Sequence, residues 1–126
     1  MGFLPPEDRR YLDNKGINFE EIEDAHQKGV VLRDYPLPIG RFDAEVVDIL
    51  ILLPPGYPDM KPDMFHTLPW VRLASSNQYP CRADHPILFA GQQWQRWSRH
   101  NSQWRAGIDG IHTMLKRIEH ALQVAA

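Results

Sequence analysis

Cysteine is nearly absent from this sequence, which has only Cys81 among its 126 residues. A single cysteine cannot form an internal disulfide, and no apolar stretch is long enough for a membrane span or a signal-peptide core. We therefore expect a cytoplasmic protein. The formal net charge of -2, with no run of like charges, gives no electrostatic reason to expect nucleic acid or a membrane as partner. A protein or a small molecule is the expected partner.

Proline, by contrast, is abundant. The chain has 11 prolines, and those between Pro36 and Pro86 should interrupt helices and leave short strands joined by turns. The length fits one domain, 1–126, that is large enough to bury a core. The sequence thus predicts sheet and loops in the middle of the chain.

Helices are expected at the two ends. Prolines followed by acidic residues at positions 5–12 favour the first turn of a short helix, and Gly16 is a plausible stop. Near the other end, apolar residues recur at helical spacing and predict a helix that packs on one face of a sheet. These residues are Ile108, Ile111, Leu115, Ile118 and Leu122.

Three segments between the helices have strand character. Residues 29–36 predict the first edge of a sheet, residues 44–53 a central strand, and residues 64–73 a third strand interrupted by a proline. Residues 19–23 are ambiguous. Residues 74–103 have no sustained periodicity and are interpreted as a long ordered loop around the functional centre. The prediction is an α+β fold with an antiparallel sheet of three or four strands, a long active-site loop and one C-terminal helix on the sheet.

Three sequence strings between residues 53 and 101 resemble a known family. They are LPPGYP at 53–58, PDM at 62–64 and WQRWSRHN at 94–101. They are similar to strings of the ubiquitin-conjugating enzyme superfamily, and in particular of its short bacterial branch called prokaryotic family E. The resemblance implies the ubiquitin-conjugating-like fold. The single residues that follow the family order are Tyr57, Pro58, Pro62, Phe65, Cys81 and Trp104.

The chain departs from the family pattern on either side of its cysteine. Most eukaryotic members carry a His-Pro-Asn motif before the cysteine, whereas residues 71–73 of this chain are Val-Arg-Leu. The spacing from Phe65 to Cys81 agrees with the pattern. The spacing from Cys81 to Trp104 is longer than in the family. Counting back from Trp104 by the family spacing puts Arg96, and not Cys81, at the position of the nucleophile.

The resemblance implies a thioester chemistry at Cys81. Its thiol would accept a ubiquitin-like C-terminus from an activating enzyme and pass it to an acceptor, with positioning supplying much of the rate. Such a site needs a hydrogen-bond donor for the developing oxyanion and a group that conditions the attacking nucleophile. The candidate donors are Asn77, His100 and Asn101, His100 is also a candidate base, and Asp84 or His85 would condition the nucleophile.

The same resemblance implies the partners of the protein. They are an activating-enzyme-like protein, a ubiquitin-like or multi-ubiquitin-like protein, and a metalloprotease-like deconjugase in the same pathway. No cofactor is expected.

Most of these residues also have a purely structural interpretation. A lone intracellular cysteine is often an inert small hydrophobe, although Pro80 and Arg82 set Cys81 in a polar loop. Trp97 and Trp104 fit the role of core residues that attach the loop to the last helix. Arg96 and Arg99 would then only cap or pair at the surface, and His100 would be architectural.

Other functions are compatible with the sequence. A noncatalytic scaffold of the same fold would hold a ubiquitin-like protein without a covalent step, and an oxyester on Ser98 would replace the thioester. Cys81, His85 and His100 share one loop, but zinc is not expected, because a structural site needs four ligands that commonly include paired cysteines and this chain has one cysteine. His85-Pro86 does not supply the His-Pro-Asn motif, because it follows the cysteine and precedes Ile87.

Overall fold

The computed structural model describes residues 2–100 and 103–126, which form two helices and a six-stranded sheet. The sheet is antiparallel, with the strand order β1-β2-β3-β4-β6-β5. The predicted α+β class is therefore confirmed. The elements in chain order are α1 (Pro6–Asn14), β1 (Asn18–Asp24), β2 (Gln27–Pro36), β3 (Val46–Leu53), β4 (Phe65–Leu68), β5 (His85–Phe89), β6 (Gln92–Trp97) and α2 (Ile111–Val124).

The sheet is larger than the predicted three or four strands. Residues 19–23 belong to β1, so β1 forms the first edge of the sheet and the prediction for residues 29–36 as that edge is wrong. Residues 29–36 lie in β2, which pairs with β1 on one side and β3 on the other. The sequence of β1 was ambiguous because this edge strand has no fully buried residue, only half-buried and exposed ones. The alternation of apolar and polar residues that marks a strand is therefore weak there.

The interpretation of residues 74–103 as one long loop is also wrong, because the segment contains the β5–β6 hairpin. Two features hid the hairpin from the sequence. Gln95 is fully buried although it is polar, so the apolar alternation of β6 is broken. The turn is formed by Ala90 and Gly91, both at positive φ (52° and 77°), and alanine is an unusual residue for the first of these positions.

Two predicted boundaries also shift. Of the third predicted strand only Phe65–Leu68 forms, while Leu73 makes an isolated bridge to Phe42. The last helix begins at Ile111, and Ile108 lies before it and is 59% exposed. The Asp109 carboxylate accepts the Arg105 backbone N–H at 2.7 Å, which closes a separate turn ahead of the helix.

The main core lies between α2 and one face of the sheet, as predicted. Burial of each large apolar side chain contributes about 1.5–3 kcal/mol to this packing. The helix contributes Ile111, Met114, Leu115, Ile118 and Leu122, and the sheet contributes Val30, Leu32, Ile49, Ile51, Phe65 and Trp97.

A second, smaller core lies on the other face of the sheet. It contains Val31, Leu50, Phe89 and Trp94. The tip of the β5–β6 hairpin folds over this face, where the Ala90 N–H donates to the Asp24 carboxylate at 2.9 Å. Gly29 permits the close approach, since a Cβ there would lie 2.8 Å from the Phe89 ring.

Asp8 of α1 joins both helices to the turn that follows β3. Its buried carboxylate accepts the Tyr57 hydroxyl at 2.5 Å and the Ile111 backbone N–H, at the start of α2, at 3.3 Å. Burial, together with this hydrogen bond, raises the pKa of the Tyr57 phenol. The Trp104 indole N–H donates to the Pro58 carbonyl at 2.8 Å, so the Tyr57-Pro58 turn is held from two sides.

Among the helices of the described residues, neither is long and apolar enough to cross a membrane.

Candidate functional site

Cys81 lies at the tip of a tight turn between β4 and β5. The Ala83 N–H donates to the Pro80 carbonyl at 3.0 Å, which closes the turn. Pro80 and Ala83 are buried, whereas Cys81 and Arg82 are exposed. Arg82 has a φ of 57°, a backbone conformation that L-residues adopt only when the surrounding structure holds them there. The turn therefore presents the thiol to solvent from a fixed base.

Backbone hydrogen bonds fix the turn to the rest of the fold. The Cys81 N–H donates to the Ala126 backbone oxygen at 2.9 Å, and the Ser98 N–H donates to the Arg82 carbonyl at 3.0 Å. The Arg41 guanidinium also donates to the Ala125 carbonyl. The residues that follow α2 and the residue that follows β6 thus hold the turn from two sides.

Gln95 of β6 is the buried group that organises the loops around the turn. Its side-chain amide donates to the carbonyls of Ala83 and Val71 at 2.8 and 3.0 Å. Its amide oxygen accepts from the Val71 N–H at 2.8 Å and from the Thr67 hydroxyl at 2.9 Å. Because Gln95 is fully buried, each of these hydrogen bonds satisfies groups that water cannot reach.

Two arginines give the thiol a cationic setting. Arg82 is the next residue in the turn, and Arg99 lies within electrostatic range of both Arg82 and Cys81. Burial lowers the pKa of the Arg99 guanidinium, and Arg82 lowers it further, while Cys81 acts in the opposite direction. The Arg99 guanidinium also lies 5.3 Å from the centre of the Trp97 ring. The thiol therefore lies beside two positively charged side chains.

Arg99 also lines a cleft of about 460 Å³ on the outer side of α2, which we call the α2 cleft. Lys116 and Arg117 supply two more cations, and the described lining residues include no carboxylate. The lining also contains His100 and His120. The surface that continues from the Cys81 turn is therefore positively charged.

The side chains predicted to assist Cys81 have other partners. Asp84 and His85 pair with each other at 2.9 Å, and both are exposed. His100 pairs with Asp63 at 3.1 Å, also at an exposed position. Within the described part of the chain, no hydrogen bond joins the Cys81 side chain to any of these four residues.

Asn77 and Asn101 complete the predicted set of donors. Asn77 lies in a separate turn at a φ of 57°, where its N–H donates to the Leu73 carbonyl at 2.8 Å. Its own carbonyl accepts from Arg72 at 3.1 Å. Asn101 lies outside the described residues.

The tryptophans have structural roles. Trp97 is fully buried, stacks on Phe65 at 5.2 Å between ring centres, and donates its indole N–H to Thr67 at 3.0 Å. Trp104 packs near Tyr57, with ring centres 6.5 Å apart, and so contacts the turn after β3. Arg96, which the spacing from Trp104 placed at the nucleophile position, pairs in the sheet with His66 and His85.

Sequence reasoning did not identify Gln95 and assigned Arg99 only a surface role. The sequence does give one signal for a buried polar residue: Trp97 lies two residues after Gln95, and side chains two apart in a strand share one face. The position of Arg99 depends on how the end of β6 returns to the Cys81 turn, which no local pattern encodes.

In the described ranges, no group of three or more His, Cys, Asp or Glu side chains is placed to hold a metal ion. The candidate zinc ligands Cys81, His85 and His100 are not gathered there.

The comparison with known proteins gives one match. The family model described as Prokaryotic E2 family E matches residues 4–125, which is nearly the whole chain. No curated protein and no solved structure matches the chain. Because the matched region includes α1, all six strands, the Cys81 turn and α2, the chain belongs to prokaryotic E2 family E.

Proposed function

We propose that this protein is a conjugating-enzyme-like transferase that carries a ubiquitin-like protein as a thioester on Cys81. The observation that carries the proposal is the exposed thiol at the tip of a turn that is fixed on both sides. An inert structural cysteine is normally buried among apolar groups. The family match supports the same chemistry.

The reaction has two transfer steps. In the first, the Cys81 thiolate attacks the carbonyl carbon of a thioester on the activating enzyme, the carbon–sulfur bond to that enzyme breaks, and its sulfur leaves as a thiolate. In the second, an amine or hydroxyl attacks the new thioester, loses its proton, and Cys81 leaves as a thiolate. A thioester is already activated, so correct placement of the reactants supplies much of the rate.

The surroundings of the turn suggest roles for its neighbours. Arg82 and Arg99 place positive charge beside Cys81, where negative charge develops in both steps. The Asp84–His85 pair, three and four residues after Cys81, is proposed to take the proton from the incoming amine, with Asp84 orienting the imidazole at 2.9 Å. Asn77 and His100 stay the predicted donors to the oxyanion, with His100 also the predicted base, and would have to reach it in the complex with the partner.

A noncatalytic scaffold is the second candidate. It is favoured by the pairing of His100 with Asp63 rather than with the thiol, because a scaffold needs no acid–base groups around the cysteine. In this case the protein binds the ubiquitin-like protein without forming a covalent bond.

The two candidates separate in one reconstitution. The protein is incubated with its activating-enzyme-like protein, the ubiquitin-like protein and ATP, and adducts are detected by intact mass. The transferase predicts an adduct that a thiol reagent removes and that Cys81→Ala does not form. Ser98→Ala is the matched control, since it removes the hydroxyl of the oxyester alternative and should leave the adduct unchanged. Binding without an adduct, in the presence of a competent activating enzyme, would contradict the transferase and support the scaffold.

A further inference from the structure

A cleft of about 300 Å³ opens on the side of the sheet away from α2, which we call the His66 cleft. It lies apart from the Cys81 turn and has no role in the proposed transfer. Part of its lining is apolar, with Leu52, Met64 and Ile87. The titratable lining residues are His26, Lys28, Lys61, Asp63, His66 and Arg96.

Two polar nitrogens of this cleft are buried and unsatisfied. His66 is only 3% exposed, and within the described residues neither its Nδ1 nor the Nε of Arg96 has a hydrogen-bond partner. The two residues face each other across β4 and β6 in direct register. A buried polar group without a hydrogen-bond partner is unfavourable and rare in folded proteins, so two in one cleft call for an explanation.

The charges of the cleft indicate what would satisfy these nitrogens. Three cations, Lys28, Lys61 and Arg96, face a single carboxylate, Asp63, which already accepts from His100 at 3.1 Å. Burial and the adjacent Arg96 lower the pKa of His66 to about 4, so its imidazole is neutral at pH 7 and can donate from Nδ1. The missing group is therefore an acceptor with negative charge.

We propose that the His66 cleft binds a small organic oxyanion, a carboxylate or a phosphate ester that carries an apolar portion. Its oxygens accept hydrogen bonds from Arg96 Nε and His66 Nδ1, with Lys28 and Lys61 completing the positive field. Its apolar portion packs against Leu52, Met64 and Ile87. Arginine is well suited to this role, because its planar guanidinium matches the geometry of carboxylate and phosphate oxygens.

The test is calorimetric titration of the full chain with octanoate, octyl phosphate and inorganic phosphate. We expect saturable binding of one equivalent of at least one octyl probe. Octanoate alone would identify a carboxylate ligand, and octyl phosphate alone a phosphate ester. Weaker binding of inorganic phosphate than of octyl phosphate would show that the apolar lining contributes.

Two variants locate the binding. Arg96→Gln should weaken it about tenfold or more, the loss expected for a charge-assisted hydrogen bond. Arg10→Gln is the matched control, since Arg10 is an exposed arginine of α1 outside this lining and should leave the affinity unchanged. In the unmodified protein, the NMR signal of the Arg96 Nε–H should shift with the same saturation curve, a readout that does not depend on folding of a variant.

The proposal is overturned if neither octyl probe binds saturably. It is also overturned if the probes bind without moving the Arg96 Nε–H signal, or if folded Arg96→Gln binds them as tightly as the unmodified chain.

Discussion

The α2 cleft and the His66 cleft are both positively charged, yet they differ in whether they contain a buried polar group without a hydrogen-bond partner. In the α2 cleft, Lys116 is an exposed surface residue, and the thiol beside the cleft is exposed as well. In the His66 cleft, the central imidazole is 3% exposed and has an unsatisfied nitrogen among the described residues. Exposed cations stay hydrated and attract a large charged partner, whereas buried donors demand a ligand that fits. The comparison suggests a protein partner on one side of the sheet and a small molecule on the other.

The two regions share β6. Gln95 faces the Cys81 side and holds Val71 and Ala83, whereas its neighbour Arg96 faces the His66 cleft. The Asp63–His100 pair also connects them, since Asp63 lines the His66 cleft and His100 lines the α2 cleft. Variants at Gln95, Arg96 and Asp63 can therefore show whether a change in one region affects the other.

The largest effect is expected for Gln95→Leu. This change leaves buried backbone groups of Val71 and Ala83 without partners and should reduce the free energy of unfolding by about 3–5 kcal/mol, measured by urea denaturation. The matched control is Gln93→Leu, an exposed glutamine of the same strand, for which we expect a change within about 0.5 kcal/mol. Equal losses in the two variants would contradict the role of Gln95.

The next effect concerns the pH dependence of stability through His66. Its pKa is lowered from 6.5 to about 4 in the folded protein, so below pH 6.5 the unfolded chain binds the proton more readily. Stability should therefore fall as the pH drops from 6.5 towards 4, by roughly 3 kcal/mol for this residue. His66→Gln should remove that part of the slope, measured by urea denaturation at a series of pH values.

His120→Gln is the control, because His120 is an exposed histidine of the α2 cleft. It should retain the slope of the unmodified protein. If the pH dependence of stability were unchanged in His66→Gln, the imidazole would not be held neutral in the His66 cleft.

A smaller effect is expected at Arg99. Removing its charge with Arg99→Gln should slow thioester formation about threefold to tenfold, the range for an interaction of about 1 kcal/mol between partly exposed charges. The measurement is the initial rate of adduct formation at saturating activating enzyme. The control Arg10→Gln, on α1, should react at the rate of the unmodified protein. If Arg99→Gln also reacts at that rate, Arg99 does not contribute to thioester formation.

The smallest effect is expected at the pair that joins the clefts. Asp63→Asn should change the free energy of unfolding by less than about 0.5 kcal/mol, because both members of the pair with His100 are largely exposed. Asp59→Asn, at an exposed position nearby in the chain, is the control for thermal unfolding. A loss of more than about 1 kcal/mol in Asp63→Asn but not in Asp59→Asn would show that this pair contributes more to stability than an exposed ion pair does.

The sequence predicted those parts of the fold whose periodicity is local. The spacing of Ile111, Leu115, Ile118 and Leu122 was enough to place α2 and its buried face. The β5–β6 hairpin could not be predicted in this way, because its buried glutamine is satisfied by Val71, Ala83 and Thr67, which lie far from it in the sequence. The alternation of apolar and polar residues does not predict a strand in which a polar residue is buried and hydrogen-bonded to residues far away in the sequence.

The candidate functional site was likewise predicted from the sequence only in part. The position of Cys81 in a polar turn followed from its neighbours Pro80 and Arg82. The cationic setting of the thiol did not, because Arg99 reaches it through the return of β6 past the turn. The His66 cleft was not foreseen at all, since its two buried nitrogens meet only through the register of β4 and β6.

The most direct test of the central claim replaces the Cys81 thiol by a hydroxyl. With the activating-enzyme-like protein, the ubiquitin-like protein and ATP, the unmodified chain should form an adduct that a thiol reagent removes. Cys81→Ser should form, more slowly, an adduct that resists the thiol reagent and is cleaved by hydroxide, because an oxyester has replaced the thioester. An adduct of Cys81→Ser that is still removed by the thiol reagent, or that forms as fast as before, would contradict the assignment of Cys81 as the nucleophile.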